Sequence, residues 1–547
     1  MGTAETGALP ENASALPEAG DASTLNLGDW VFLAVVVVIA AALRLFQLGA
    51  EGLWFDEANT AVLAGLPLRQ LLERITTDNQ APLYFLLVKA AMALLGSAEW
   101  AVRSVSAASG IALVWLAHEV GRRTASRQAA RSAAILVATS PMAIHYSQEA
   151  RPYALLMLLV LAGYSAAGRF DERPTFGRGL WLAAVFLATC LTHNIGPFFV
   201  GGLAVAFLAI RRFDAHRLPM WGAVLAATAL GYLVWLPNLL QQSAGMVHSF
   251  AWAGGVWGSE FPFQIPRSWA AMSHGSLAPI RNRVPEIIGQ AWVAAGLSVL
   301  MWIGCFHRRA RLADPRLPAL LLLAGVTPLA GMWVYSTVSR APIYLVGRVD
   351  SPALPLFLLL TAAGGVALKP GWRWLGTAAL VGLAVLPLRI NWEIDFRSQE
   401  RAIARLVDSR RADGEPVIAT AFDCSLIHYT DLRHGELLLL YPSATEPYLG
   451  WVDWSSYDAA LLEADAEEVA LQAMQRARQS ASGRVWLLLR PDPEYAAIAD
   501  AMARRMTPAG ELDLGYLGMK LIVYTPTVPR LHDGDAGQRG GGIRAGP

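Results

Sequence analysis

Residues 82–96 read PLYFLLVKAAMALLG, and whether this stretch crosses a bilayer decides the topology of the chain. It is short for a span and carries Lys89: a helix rises about 1.5 Å per residue, so a hydrocarbon core of about 30 Å asks for roughly 20 residues. Loop charge gives a second reading. The loops near 121–131 (Arg122, Arg123, Arg127, Arg131), 169–178 (Arg169, Arg173, Arg178), 211–217 (Arg211, Arg212, Arg217), 307–316 (Arg308, Arg309, Arg311, Arg316) and 369–373 (Lys369, Arg373) are short and basic. Such loops mark the cytoplasmic face. They share one side only if 82–96 does not cross, which predicts a helix lying along the outer interface.

The rest of the chain agrees with a membrane setting. Of 547 residues 54% are hydrophobic and 16% charged, too apolar for a soluble protein of this size. Apolar runs centre on 30–48, 101–120, 130–146, 152–169, 177–193, 195–211, 219–238, 286–306, 317–337, 351–367 and 373–391. The expected fold is therefore an all-α polytopic membrane protein of about 11 transmembrane helices, with interfacial helices in the first outer loop. The acidic leader, and Arg44 near the far end of the first run, argue the opposite orientation; five basic loops outweigh them, because Asp and Glu count little in this rule and an Arg near a helix end can snorkel.

After about residue 392 the character changes. VIATAF, LLLLYP, RVWLLLRP and KLIVYTP are short β-type runs separated by helical stretches at 397–411, 464–479 and 493–505, which predicts a small extracytoplasmic α/β domain. The expected organisation is a disordered cytoplasmic leader at 1–27, a transmembrane domain at 28–391, the α/β domain at 392–528 and a Gly-rich disordered tail at 529–547. With a net charge of +1 and no Lys/Arg block, nucleic acid has no electrostatic support as a partner. Cys190, Cys305 and Cys424 offer neither a disulfide framework nor metal-ligand spacing.

This topology gives the outer face the loops at 49–100, 146–151, 239–285 and 338–350, and chemistry is to be sought there. Leu53-Trp54-Phe55-Asp56-Glu57-Ala58-Asn59 places two adjacent carboxylates directly after the first span. Either carboxylate would also serve as a cap for the following helix. Asp78-Asn79-Gln80-Ala81-Pro82-Leu83-Tyr84 reads as a capped helix start with proline in its first turn, and Tyr84 and Lys89 would project from that helix. Ser140-Pro141 through His145-Tyr146-Ser147-Gln148-Glu149-Ala150-Arg151-Pro152-Tyr153 joins the third and fourth spans; ionisable residues so near hydrocarbon are functional candidates. Capping by Glu149, or a Glu149 to Arg151 ion pair, is the plainer reading. No Gly-rich phosphate cradle follows a strand, so a nucleotide-sugar donor has no visible motif.

The order Trp-x-Asp-Glu-Ala, Gln-x-Pro-Leu-Tyr, then Ser-Pro-x-x-x-x-Tyr-Ser-Gln-Glu-Ala-Arg-x-Tyr-Ala-Leu resembles the GT-C glycosyltransferases of the family 39 type, relatives of protein O-mannosyltransferases and of the lipid A aminoarabinose transferase. The likeness covers roughly residues 30–240. Many members have Pro-Pro where Ala81-Pro82 stands, the aminoarabinose transferases have Lys in place of Gln80, and a common Arg-Tyr appears as Arg348-Val349.

The resemblance implies a multi-pass enzyme of the plasma membrane that moves a sugar from a polyprenyl-phosphate donor to a hydroxyl of a glycan, lipid or protein acceptor on the extracytoplasmic face. It makes Asp56 and Glu149 the catalytic residues, with Glu149 orienting the acceptor or holding a divalent cation; no other cofactor is implied. Expected substrate contacts are Glu57, Tyr84, Lys89, Tyr146, Arg151, Tyr153, His248, Tyr344 and Arg348, with Arg281, Arg283 and Arg340 as further candidates for meeting the departing phosphate. The alternative is a polytopic transporter or lipid flippase; against it stand the absence of a repeated half and the gathering of acidic groups at one face.

Overall fold

A computed structural model of the protein describes residues 26–77, 80–210, 214–249, 263–275, 285–309, 312–339, 341–367, 373–393, 399–420, 423–432, 436–439, 466–491, 495–515 and 518–526. The chain forms two compact units that divide at Ser398–Gln399.

The first unit is helical. It opens with α1 (Leu27–Leu45), then α2 (Phe55–Gly65), α3 (Leu68–Thr77) and α4 (Pro82–Leu95), followed by α5 (Glu99–Thr124), α6 (Arg127–Thr139), α7 (Pro141–Ser147), α8 (Tyr153–Glu172), α9 (Phe176–Thr192), α10 (Gly196–Ile210), α11 (Leu218–Tyr232) and α12 (Leu236–Ser249). Among the described residues five helices are long and apolar enough to cross a membrane: Leu27–Leu45, Glu99–Thr124, Tyr153–Glu172, Ile288–His307 and Leu317–Ser339. A sixth is counted if Leu218–Tyr232 and Leu236–Ser243, bent by 75°, act as one span.

The expected eleven spans are thus corrected to five or six by length and composition. Apolar runs overestimate helices, since a run continues through a break that ends the helix. The run at 130–146 splits where Ser140 caps α7 and Pro141 takes its first position. Phe176–Thr192 and Gly196–Ile210 fall below span length. The run at 351–367 begins with a 3-10 turn, Ser351–Ala353, before helix Leu354–Ala367.

The ends of the bundle sort by charge. Asp29, in the first turn of α1, accepts from Arg131 at 2.8 Å and pairs with Arg127 at 3.1 Å. Asp171 pairs with Arg217 and Arg316, while the amides of Ala313 and Asp314 donate to the carbonyls of Ala125 and Thr124. Arg123, Arg127, Arg131, Arg217 and Arg316 of the basic loops therefore meet at one end; Arg211, Arg212, Arg311 and Lys369 lie outside the described residues. Asp29 also explains the acidic start of α1: it neutralises two of these arginines. At the other end α4 bonds to the end of α2, with Lys89 Nζ donating to the Ala64 and Leu66 carbonyls. Its 14 residues cover about 21 Å, less than a hydrocarbon core.

The second unit is a five-stranded sheet with helices. Strands β1 (Val417–Ala419), β2 (Leu437–Leu439), β3 (Val485–Leu489), β4 (Met506–Asp513) and β5 (Lys520–Pro526) lie in the order β2-β1-β3-β5-β4. Strand β1 pairs in parallel with β2 and β3, whereas β3–β5 and β4–β5 are antiparallel. Helices Ala466–Ala477 and Ala496–Ala503 pack small faces (Ala470, Ala473, Ile498, Ala501) on Ile418, Leu487 and Ile522. The four β-type runs are strands, as expected. Strand β4 was not: MTPAGELD lacks an apolar run, and it forms the sheet edge, where proline is tolerated, with a register shift between Pro508 and Gly510.

Candidate functional site

The two adjacent carboxylates after α1 have different surroundings. Glu57 is fully buried and grips Arg103 with both oxygens, Nε–Oε1 2.8 Å and Nη2–Oε2 2.7 Å. The remaining Arg103 N–H groups donate to the carbonyls of Leu48, Glu51 and Gly52, and Glu57 also accepts from the amides of Ala150 and Trp54. Glu57 is thus the capping residue of α2 and a staple between the first outer loop, α5 and the 147–152 turn.

Asp56, one residue earlier, stays 24% exposed at its side chain. Its Oδ2 lies 2.7 Å from Arg348 Nη2 and 3.7 Å from Arg151 Nη2. Arg348 also lies over the Trp54 ring, 5.8 Å from its centroid. Glu149 is buried, with His145 Nε2 at 3.8 Å from Oε2, and both carboxylates act electrostatically on Arg151 and Arg348. Asp56 and Glu149, 93 positions apart in sequence, belong to one charged cluster.

A turn from the late outer segment supplies Arg348. Gly347 takes φ +81, a conformation that favours glycine. Its N–H donates to Asp350 Oδ2 at 3.0 Å, its carbonyl accepts from the Tyr146 hydroxyl, and the Ser351 hydroxyl holds the Arg348 carbonyl at 2.7 Å. Asp350 has no exposure. Burial raises its carboxyl to about 6, against the opposing hydrogen bonds from Ser268, Gly347 and Ser351.

Aromatic rings line the cluster. His145 meets Tyr146 edge-on at 5.2 Å, Tyr146 lies 4.8 Å from Tyr153, and Tyr153 lies 5.5 Å from His193. Tyr84 is buried, its hydroxyl 2.8 Å from Ser106 Oγ, which in turn donates to the Arg151 carbonyl. Lys89 caps the end of α2, where a cation suits the helix dipole. Tyr344 is buried against Ser268 at 2.9 Å. Asp78, Asn79, Arg281, Arg283 and Arg340 lie outside the described residues, as does the side chain of His248, whose backbone ends α12.

Three polar residues escaped the sequence reading: Arg103, Asp350 and His193. Of these His193 had a visible signal, an imidazole at the junction of two apolar runs. The donor set does not suit a resident divalent ion. Among the described residues no group of three His, Cys, Asp or Glu side chains could hold a metal, and the charged partners of Asp56 are two guanidiniums.

Comparison with known proteins agrees with this architecture. The family model for dolichyl-phosphate-mannose-protein mannosyltransferase matches residues 79–241. No curated protein matches the chain. Among solved structures, ArnT from Cupriavidus metallidurans in the apo state is similar at 15% identity and a TM-score of 0.57, covering 91% of this chain and 98% of that one. The same protein bound to undecaprenyl phosphate gives 15% identity, a TM-score of 0.55 and the same coverage. The Archaeoglobus fulgidus oligosaccharyltransferase in apo form is 12% identical over 86% of this chain and 71% of that chain, with a TM-score of 0.46. The chain thus shares the fold of ArnT: a mostly helical, multi-pass membrane unit with a small C-terminal α/β unit.

Proposed function

We propose that the protein is a membrane glycosyltransferase of the family 39 type that moves a sugar from a polyprenyl-phosphate donor to an acceptor hydroxyl on the extracytoplasmic side of the plasma membrane. The observation that carries this reading is a partly exposed carboxylate, Asp56, held by two guanidiniums at the end of the bundle away from the basic loops. The similarity to ArnT, one of whose structures is bound to undecaprenyl phosphate, supports a lipid-phosphate donor.

The cluster provides both parts of the reaction. A phosphate entering beside Arg348 and Arg151 competes with Asp56 for their N–H groups, since guanidinium grips phosphate in a fork. That exchange frees the carboxylate. The acceptor oxygen then attacks the anomeric carbon as the bond from that carbon to the phosphate oxygen breaks. The hydroxyl proton passes to Asp56, the bonding electrons leave with the phosphate, and the guanidiniums stabilise its added charge. Attack opposite the leaving group inverts the anomeric centre. Glu149, beside His145, orients the acceptor.

The test is transfer of radiolabel from polyprenyl-phosphate sugars in membranes. Asp56→Asn should lower the rate by about 10²- to 10⁴-fold, with a smaller loss for Glu149→Gln. Wild-type transfer that survives both substitutions removes the mechanism.

A further inference from the structure

His193 ends α9, in the extended backbone between α9 and α10. Its surroundings fix it closely. Asn194 Nδ2 donates to Gln242 Oε1 at 2.9 Å, and Gln242 Nε2 donates to the carbonyls of Ile75 and Gln80. The break is thereby tied to α12, to the end of α3 and to the start of α4. Gly196 closes the turn from the other side: a Cβ there would sit 2.2 Å from the Thr189 carbonyl oxygen.

Within this frame the ring has a defined tautomer. Nδ1 accepts from the Ile195 amide at 3.2 Å, so the ring proton is on Nε2. The plane leans on Tyr153 at 5.5 Å, extending the row from Tyr146. Burial above all, and then the charges of Arg151 and Arg348, press its pKa down to about 3. The imidazole is therefore neutral, half-buried and held beside two cations. Among the described residues Nε2–H has no hydrogen-bond partner, while Nδ1 is taken by the Ile195 amide.

We infer that His193 is a substrate-contact residue whose Nε2–H donates a hydrogen bond to a phosphate oxygen of the lipid-linked donor. A neutral donor complements Arg348 and Arg151: it supplies direction without adding a third charge that would have to be desolvated. Ring packing on Tyr153 and the Ile195 amide pre-set its orientation, so little freedom is lost on binding. This role rests on the glycosyl-transfer reading and sharpens it by naming the group that meets the phosphate alongside the arginines.

The experiment measures binding of undecaprenyl phosphate, and of undecaprenol as the phosphate-free control, to the full-length protein in nanodiscs. His193→Phe keeps a ring against Tyr153 but removes the N–H; His193→Gln keeps an amide N–H near the Nε2 position. His193→Phe should weaken undecaprenyl phosphate by about tenfold and leave undecaprenol unchanged, while His193→Gln stays within about threefold of wild type. Equal binding of undecaprenyl phosphate by wild type and a folded His193→Phe overturns the inference. So does equal weakening of both lipids, which would make the ring a packing element; if His193→Phe does not fold, a His193→Gln variant that is folded and has lost phosphate-dependent binding does the same. Radiolabelled transfer separates the two readings: wild-type protein that binds the phosphate yet moves no sugar defeats the proposed function and leaves the contact standing.

Discussion

Asp56 and Glu57 are neighbours in sequence with opposite fates, and the cause is a single partner. Arg103 lies on α5 and its guanidinium satisfies Glu57 together with three loop carbonyls. Replacing it with methionine leaves a buried carboxylate without its counter-charge, which typically costs about 3–5 kcal/mol. Thermal unfolding of purified Arg103→Met should therefore fall well below wild type, and an unchanged midpoint would mean Glu57 is not sealed in as described. Asp350 gives a pH signature of the opposite sign to an ordinary ion-paired carboxylate. Its folded-state value of about 6 lies above the unfolded 3.8, so the folded protein holds the proton more tightly. Stability from this group is full below the unfolded value and is lost as pH rises through about 6, a change of about 3 kcal/mol. Asp350→Asn should flatten that part of the unfolding profile between roughly pH 4 and 7 while retaining an acceptor for the Gly347 amide.

At the scale of elements, the site depends on a helix that stops early. Ser140 and Pro141 end α6 and start the seven-residue α7, which turns His145 and Tyr146 toward the cluster. α7 lies against α5 at Gly110, where a Cβ would come within 1.9 Å of Ser147 Oγ and 2.9 Å of Arg44 Nε. Arg44 is fixed there by the carbonyls of Ala40, Val137 and Ala138, so it has little room to retreat. Gly110→Ala should cost about 1–3 kcal/mol by overpacking and lower the melting temperature with it; an unchanged melting temperature would show that the two helices can part freely. The sequence announced the break through Ser-Pro, but the run of apolar residues on both sides reads as one span, because hydropathy does not register where a backbone changes direction.

For the molecule as a whole, orientation is the prediction that matters. Cys190, Cys305 and Cys424 are buried, which leaves introduced cysteines readable against a quiet background. Ala50 and Arg173 are both exposed and belong to opposite ends of the bundle. A membrane-impermeant maleimide applied to intact cells should label Ala50→Cys, and should label Arg173→Cys only after permeabilisation. Labelling of both from outside would reverse or abolish the assigned topology.

Loop charge alone supplied the expected sidedness, because Lys and Arg in short loops bias orientation wherever those loops later pack. Runs of alternating and continuous apolar residues likewise determined that a helical membrane unit precedes an α/β unit, since burial periodicity is local. The division of labour between Asp56 and Glu57 and the recruitment of Arg348, Arg103 and His193 were decided only by tertiary structure. Each depends on contacts between residues tens to hundreds of positions apart, such as Asp56 with Arg348, and a linear sequence carries no distance between them.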